Sequence, residues 1–160
     1  MKIKFITTGG TIDKVYFDAK SEYAVGSPQI VEILQEAHAT FEFEVESILR
    51  KDSLDMTDED RRLIRAKIEA DPCPRIVVTH GTDTMIQTAK TLLGLAGKTI
   101  VLTGSMQPAR FKSTDAAFNV GVAIGAAQVL PPGVYVAMNG QVFDPAKARK
   151  NIAESRFERA

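Results

Sequence analysis

The sequence has no tryptophan, one cysteine and two histidines, and neither charge is in excess: 20 Lys+Arg stand against 20 Asp+Glu in 160 residues. Each shortage excludes something. A lone cysteine, Cys73, cannot close an internal disulfide, so nothing points to an oxidising compartment. A formal net charge of zero removes the electrostatic case for nucleic acid or an anionic membrane surface as partner. No apolar run approaches the roughly 20 residues that cross a bilayer. Gly9-Gly10 interrupts the amino-terminal segment before a signal-type apolar region develops. His38 and His80 lack metal-ligand spacing to each other or to Cys73, so no metal site is read. There is no G-x-G-x-x-G and no G-x-S-x-G. Gly97-Lys98-Thr99 resembles the tail of a phosphate loop, but Leu92 stands where its first glycine belongs. What is present is a globular composition, 44% hydrophobic and 25% charged. A chain of this length suits one domain that buries about 70% of its unfolded surface. The expectation is a soluble, cytoplasmic single domain.

Short β-rich runs alternate with helical patterns. Ile3–Ile6 reads as a strand. Ser27 and Pro28 suit the N-cap and first position of a helix whose apolar face holds Ile30, Ile33, Leu34 and Ala37. Phe41, Phe43 and Val45 alternate with Glu42, Glu44 and Glu46, as in a half-exposed strand. Thr57-Asp58-Glu59-Asp60 opens a second helix, and Asp71-Pro72-Cys73-Pro74 closes it. Arg75–Thr79 and Thr99–Thr103 read as buried strands. Thr84 to Gln87 fits a capping box for a helix to about Leu93. Thr114-Asp115 caps an Ala/Gly-rich helix to about Ala127. A Pro131-Pro132-Gly133 turn precedes a strand over Val134–Met138. The stretch from about Ala146 reads as a polar, basic helix. This order predicts an α/β fold, with a mostly parallel sheet carrying helices on both faces in a Rossmann-like or flavodoxin-like three-layer arrangement.

In open α/β sheets, ligands bind beyond the carboxyl ends of the strands. Four such ends carry glycines, hydroxyls or acids: Thr7 to Asp13, Lys51 to Asp55, Thr79 to Thr84 and Thr103 to Met106. Glycine lets backbone N–H groups approach a ligand, and a hydroxyl can donate, accept or attack. Such residues also make ordinary loops, but four at one edge favour a site. With no paired histidine, a hydrolytic Thr or Ser would need another activator.

Thr8-Gly9-Gly10-Thr11-Ile12 and His80-Gly81-Thr82-Asp83-Thr84-Met85 resemble the two signature motifs of the bacterial-type L-asparaginases. Asp52 to Met56, Thr103 to Met106, Asp115 to Asn119, and Met138-Asn139 followed by Lys150 resemble further stretches of that family, in order along nearly the whole chain. The resemblance implies hydrolysis of L-asparagine to L-aspartate and ammonia without a cofactor. It implies Thr11 as nucleophile, Tyr23 as its partner on a mobile flap from Asp13 to Glu22, and Thr82, Asp83 and Lys150 as a second cluster. Gly10, Ser53, Thr82, Asp83 and Ser105 would hold the substrate, with Ser53 and Asp83 on its α-carboxylate and α-amino groups. A lysine can take a proton if burial depresses its pKa, although Asp83 opposes that shift. Which threonine attacks stays open.

Some residues depart from the family pattern. Leu54 follows Ser53, Gln107 and Ala109 replace an Arg-Pro-Ser-like segment, and Val15, Tyr16 and Phe17 replace small flap residues. Family members usually continue into a second domain, which in an oligomer helps complete a neighbour's site. The expectation is therefore a short member comprising the amino-terminal-type domain alone over residues 1–160, without the usual carboxy-terminal domain. It would act as a homo-oligomer (dimer or tetramer), with Ile152 and Phe157 as candidate contact residues or as part of the chain's own packing. The alternatives are hydrolysis of glutamine or another small amide, an aspartate or asparagine sensor without turnover, and a fragment of a longer protein.

Overall fold

The computed structural model describes residues 1–17 and 22–160. Residues 18–21, which belong to the expected flap, lie outside the described residues. Six strands form the main sheet: β1 (Lys2–Gly9), β4 (Glu42–Lys51), β5 (Arg75–Thr79), β6 (Thr99–Thr103), β7 (Gly133–Met138) and β8 (Gln141–Phe143). Their spatial order is β4-β1-β5-β6-β7-β8. The first five are parallel, and β8 folds back antiparallel on β7. Counting only the parallel strands, the order is 2-1-3-4-5, the flavodoxin-like winding. It leaves a topological switch point between β1 and β5.

Strict alternation within the buried strands builds two cores. Ile76, Val78, Ile100 and Leu102 face α2 (Asp58–Ala70) and α3 (Met85–Leu92). Val77 and Val101 face α1 (Ile30–Glu36) and α4 (Ala116–Val129). Because both faces are covered, these strands read as unbroken apolar runs rather than alternating ones. Alanines 116, 123, 126 and 127 of α4 are buried, which lets that helix lie close against β6 and β7.

Helix starts show where tertiary contacts replace local signals. Thr57 starts α2 as expected, and with Asp60 it forms a reciprocal capping box. Thr84 does not cap α3; its hydroxyl donates to the Ser53 carbonyl at 2.8 Å. The first helix starts at Ile30, so Ser27 and Pro28 precede it and Ala37 follows it. Its cap comes from elsewhere in the chain, since the Gln29 N–H donates to the Asp13 carboxylate at 2.8 Å.

The largest difference from expectation is the carboxyl-terminal stretch. It is an antiparallel hairpin of β9 (Ala148–Asn151) and β10 (Arg156–Arg159), not a helix. Ala146 to Lys150 has good helix propensity, but tertiary contacts override it. The Phe157 ring is fully buried in the core beside Met138 and Phe143. The Phe157 N–H donates to the Asn139 side-chain oxygen at 2.8 Å. Phe157 thus packs on its own chain, whereas Ile152 at the hairpin turn is 79% exposed. Replacing Phe157 by alanine is expected to cost about 3–5 kcal/mol, read as a lower urea midpoint with an unchanged m-value. A second hairpin, β2 (Lys14–Phe17) with β3 (Glu22–Val25), follows the first glycine loop. Among the described residues, no helix is long and apolar enough to cross a membrane.

Candidate active site

The site forms where the ends of β1, β4, β5 and β6 meet at and beside the switch point. Glycines set how closely they meet. Gly10 has φ +89°, and a Cβ there would lie 2.4 Å from the Gly81 nitrogen. A Cβ on Gly81 would lie 2.6 Å from the Ser53 Cβ and Oγ, and one on Gly104 would lie 2.2 Å from the His80 carbonyl oxygen. The loops after β1, β5 and β6 therefore meet backbone to backbone, and the Ser53 side chain packs directly on Gly81. Gly10 N–H to Lys51 O (2.9 Å), His80 N–H to Thr103 O (2.9 Å) and Thr8 Oγ1 to Thr79 O (2.9 Å) tie them together.

Lys150 reaches this edge from β9. Its Nζ donates to Thr82 Oγ1 at 2.8 Å and to Asp83 Oδ1 at 2.6 Å. Thr82 is buried, and the Asp83 side chain is 40% exposed. Three residues expected to form one cluster are thus assembled across 68 positions of sequence. A chain of amides holds Lys150 there. Asn119 on α4 donates to the Gly104 carbonyl (3.0 Å) and Asp115 Oδ2 (2.8 Å) and accepts from the Asn139 N–H (3.1 Å). Asn139 in turn receives the Phe157 N–H, opposite Lys150 in the hairpin.

Ser53 lies at the start of a 3-10 turn over Ser53–Asp55 capped by Asp52. Its side chain is buried, and its Oγ has no hydrogen-bond partner among the described residues. A buried hydroxyl without a partner costs about 1–3 kcal/mol, a cost a ligand atom would relieve. Ser105 differs. Its hydroxyl donates to the Gln107 carbonyl within its own loop, so its visible role is to shape the turn. The Met106 and Gln107 N–H groups donate to the Asp115 carboxylate.

Thr11 opens the 3-10 turn Thr11–Asp13 immediately after Gly10 and is half-buried. Tyr23 sits on β3 with its ring 5.3 Å from that of Tyr16 and 5.7 Å from that of Phe111. Among the described residues, no hydrogen bond joins Tyr23 to Thr11. The sequence reading also missed residues at this edge. Lys14 Nζ pairs with Asp52 Oδ2 at 2.8 Å, and this partner, with Lys150 beyond it, holds the Asp52 carboxyl below its ordinary range. Asp13 is buried. An acid placed directly after the Thr-Ile pair was the available signal.

Beneath the site His80 is fully buried, and burial pushes its pKa down to about 4. Its Nδ1–H donates to the Gly81 carbonyl at 2.7 Å, which leaves Nε2 to accept from Thr88 Oγ1 at 2.8 Å. The neutral ring orients the Gly81 peptide beside Thr82. The folded pKa lies below the ordinary 6.5, so this group's stabilisation is full above pH 6.5 and is lost as pH falls toward 4. The stability difference between the wild type and His80→Asn is expected to shrink by on the order of 3 kcal/mol between pH 7 and pH 4, measured by urea unfolding. Among the described residues, no group of three or more His, Cys, Asp and Glu could hold a metal ion.

A flavodoxin-like sheet with Gly-Gly-Thr and Gly-Thr-Asp loops meeting at its switch point defines the class of molecule. Residues 2–157 match the family model for the asparaginase amino-terminal domain, and the chain belongs to the asparaginase family. It is 35% identical over 151 residues to the L-asparaginase of Thermococcus kodakarensis, covering 89% of this chain and 45% of that protein. The solved L-asparaginase I of Vibrio cholerae superimposes with a TM-score of 0.86 at 28% identity, over 99% of this chain and 51% of the other. The Probable Cytoplasmic L-asparaginase of Campylobacter jejuni superimposes with a TM-score of 0.74, also at 28% identity and with the same coverage. The chain thus spans about half the length of the relatives it matches.

Proposed function

We propose that the protein hydrolyses the side-chain amide of L-asparagine, giving L-aspartate and ammonia. The observation that carries this reading is Lys150 Nζ, 2.8 Å from the Thr82 hydroxyl and 2.6 Å from Asp83. It supplies a hydroxyl with an adjacent proton carrier on an edge that also presents the Thr11 turn and the Ser53 hydroxyl, which has no partner among the described residues. The Thr11 oxygen attacks the amide carbon, with Tyr23 as its partner, and an ester forms as the C–N bond breaks. The Thr11 proton passes through the Thr82–Lys150 pair to the departing nitrogen, which leaves as ammonia. Water then cleaves the ester and returns a proton to Thr11. Acid–base assistance of this kind is worth about 10²–10⁴ in rate. Ser53 takes the substrate carboxylate, Gly10 meets the substrate from the Thr11 loop, and Asp83 has a carboxylate oxygen to offer the ammonium. Ser105 serves by shaping the loop at its side of the site.

The same reading takes residues 1–160 as one amino-terminal-type domain acting in a homo-oligomer in the cytoplasm. The exposed Ile152 is an available contact, and the named location of the Campylobacter jejuni neighbour supports the compartment. The deciding measurement is ammonia and aspartate production from L-asparagine by the wild-type chain, with L-glutamine in parallel. Equal stoichiometric release of both products supports the assignment. Aspartate binding by calorimetry without ammonia release replaces it with a sensor. Glutamine turned over faster than asparagine moves it to a glutaminase. Sedimentation velocity on the same sample tests the oligomer.

A further inference from the structure

Two consecutive charged residues behind Thr11 reach in opposite directions. Asp13 ends the 3-10 turn that begins at Thr11, and Lys14 begins β2. Asp13 is 2% exposed. Its Oδ1 accepts the Gln29 N–H at 2.8 Å, and its carbonyl oxygen accepts the Gly26 N–H at 2.7 Å. These two bonds close the whole β2–β3 excursion at its base and supply the missing cap of α1. Lys14 turns the other way, to Asp52 at 2.8 Å. Asp52 caps the turn that starts at Ser53. The backbone passes from the 3-10 turn to extended geometry between these two residues, so adjacent positions hold two different neighbours.

We infer that Asp13 and Lys14 form a double clasp that positions the Thr11 hydroxyl, with Asp13 fixing the turn to α1 and Lys14 fixing it to the Ser53 turn. Both are positioning residues that act through Thr11 and Ser53. The inference rests on the proposed hydrolysis for its kinetic consequence but not for its structural one. Without the clasp the Thr11–Asp13 turn is held by Gly10 and by the Ala109 N–H donating to the Ile12 carbonyl at 3.1 Å. Errors of about 1 Å in placing a reacting atom cost on the order of 100-fold in rate.

The charge on Asp13 gives the clasp a distinct signature. Burial pushes its pKa up to about 6, against the Gln29 hydrogen bond and the Arg50 charge, which both lower it. At the start of α1, Gln29 is neutral and also accepts from Arg110 Nε, and Arg110 is paired with Glu32. On β2, the Lys14 charge is committed to Asp52. Above pH 6 the carboxylate holds Gln29 through a charge-assisted bond; below it the bond becomes a weaker neutral one.

Four variants test the clasp. Asp13→Ala and Lys14→Met are each expected to lower kcat 10- to 100-fold with a smaller change in KM. Lys14→Arg, which keeps the cation, is expected to recover most of kcat at pH 8, whereas Asp13→Asn, which keeps a neutral acceptor without the charge, is expected to recover only to the level the wild type shows below pH 6. The wild-type kcat is expected to fall below about pH 6, and Asp13→Asn to lose that acid limb. Independently of turnover, the Gln29 amide shift followed by NMR is expected to titrate near pH 6 in the wild type and not in Asp13→Asn. If Asp13→Ala and Lys14→Met stay within twofold of wild type in kcat, the clasp is overturned. It is also overturned if their losses follow their melting temperatures and neither conservative variant recovers activity. Should the wild type hydrolyse no amide, the Gln29 titration alone decides the Asp13 arm: a shift confirms it, and a flat profile sinks it.

Discussion

Replacing Thr82 by alanine is expected to lower ammonia release from L-asparagine by three orders of magnitude or more, and Thr11→Ala to do the same. The two hydroxyls sit on separate loops, after β1 and β5, whose backbones touch at Gly10 and Gly81. In the proposed mechanism Thr11 supplies the atom that bonds to the amide carbon, and Thr82 is the acceptor through which Lys150 enters the site. Groups that act as a unit lose nearly the whole effect when either is removed, so Thr11→Ala/Thr82→Ala is expected to be little worse than either single variant. Folding should survive Thr82→Ala. Lys150 keeps Asp83 at 2.6 Å, and one lost hydrogen bond is worth about 0.5–1.5 kcal/mol. Steady-state ammonia assays beside circular dichroism separate the two effects. Full activity in both single variants would remove these residues from the mechanism.

The second large effect is expected from one added methyl group. In Gly10→Ala the new Cβ lies 2.4 Å from the Gly81 nitrogen and 2.5 Å from the Gly81 Cα. Those are backbone atoms of the neighbouring strand end, so no side chain can swing away to make room. The backbone at Gly10, with φ +89° and ψ −176°, also lies in a region essentially restricted to glycine, at about 1–3 kcal/mol for any other residue. Overpacking adds a similar cost, so a loss of about 2–6 kcal/mol is expected together with loss of turnover. Gly121→Ala on α4 is the control. Nothing lies within 4 Å of its added Cβ, and alanine is favoured over glycine in a helix by about 1 kcal/mol. Urea midpoints of the two variants should move in opposite directions.

Much of the frame was legible from one dimension. The apolar runs at 75–79 and 99–103 are central strands because both of their faces are covered. Thr57 and Asp60 are three residues apart and cap each other, so that helix start needs no distant partner. The glycine loops were legible as a group because strand ends in a parallel sheet share one edge.

The parts that were not legible depend on partners far away in sequence. Ala146 to Lys150 carries helix-forming residues, yet Phe157 and the Asn139 carboxamide draw it into a hairpin. The Asp13 cap on Gln29 spans 16 positions, and Lys14 with Asp52 spans 38. No local pattern announces such pairs. The sequence determined the α/β class with a mostly parallel sheet and which residue types line the edge, because periodicity and turn chemistry are local properties; the strand order came from the structure. Only the tertiary structure decided how Lys150, which the resemblance singled out, reaches Thr82 from a hairpin, that Ser53 has no partner among the described residues, and that Ser105 is committed to its own loop. Those outcomes depend on distances of a few ångströms between loops in contact, and such distances exist only once both cores have packed.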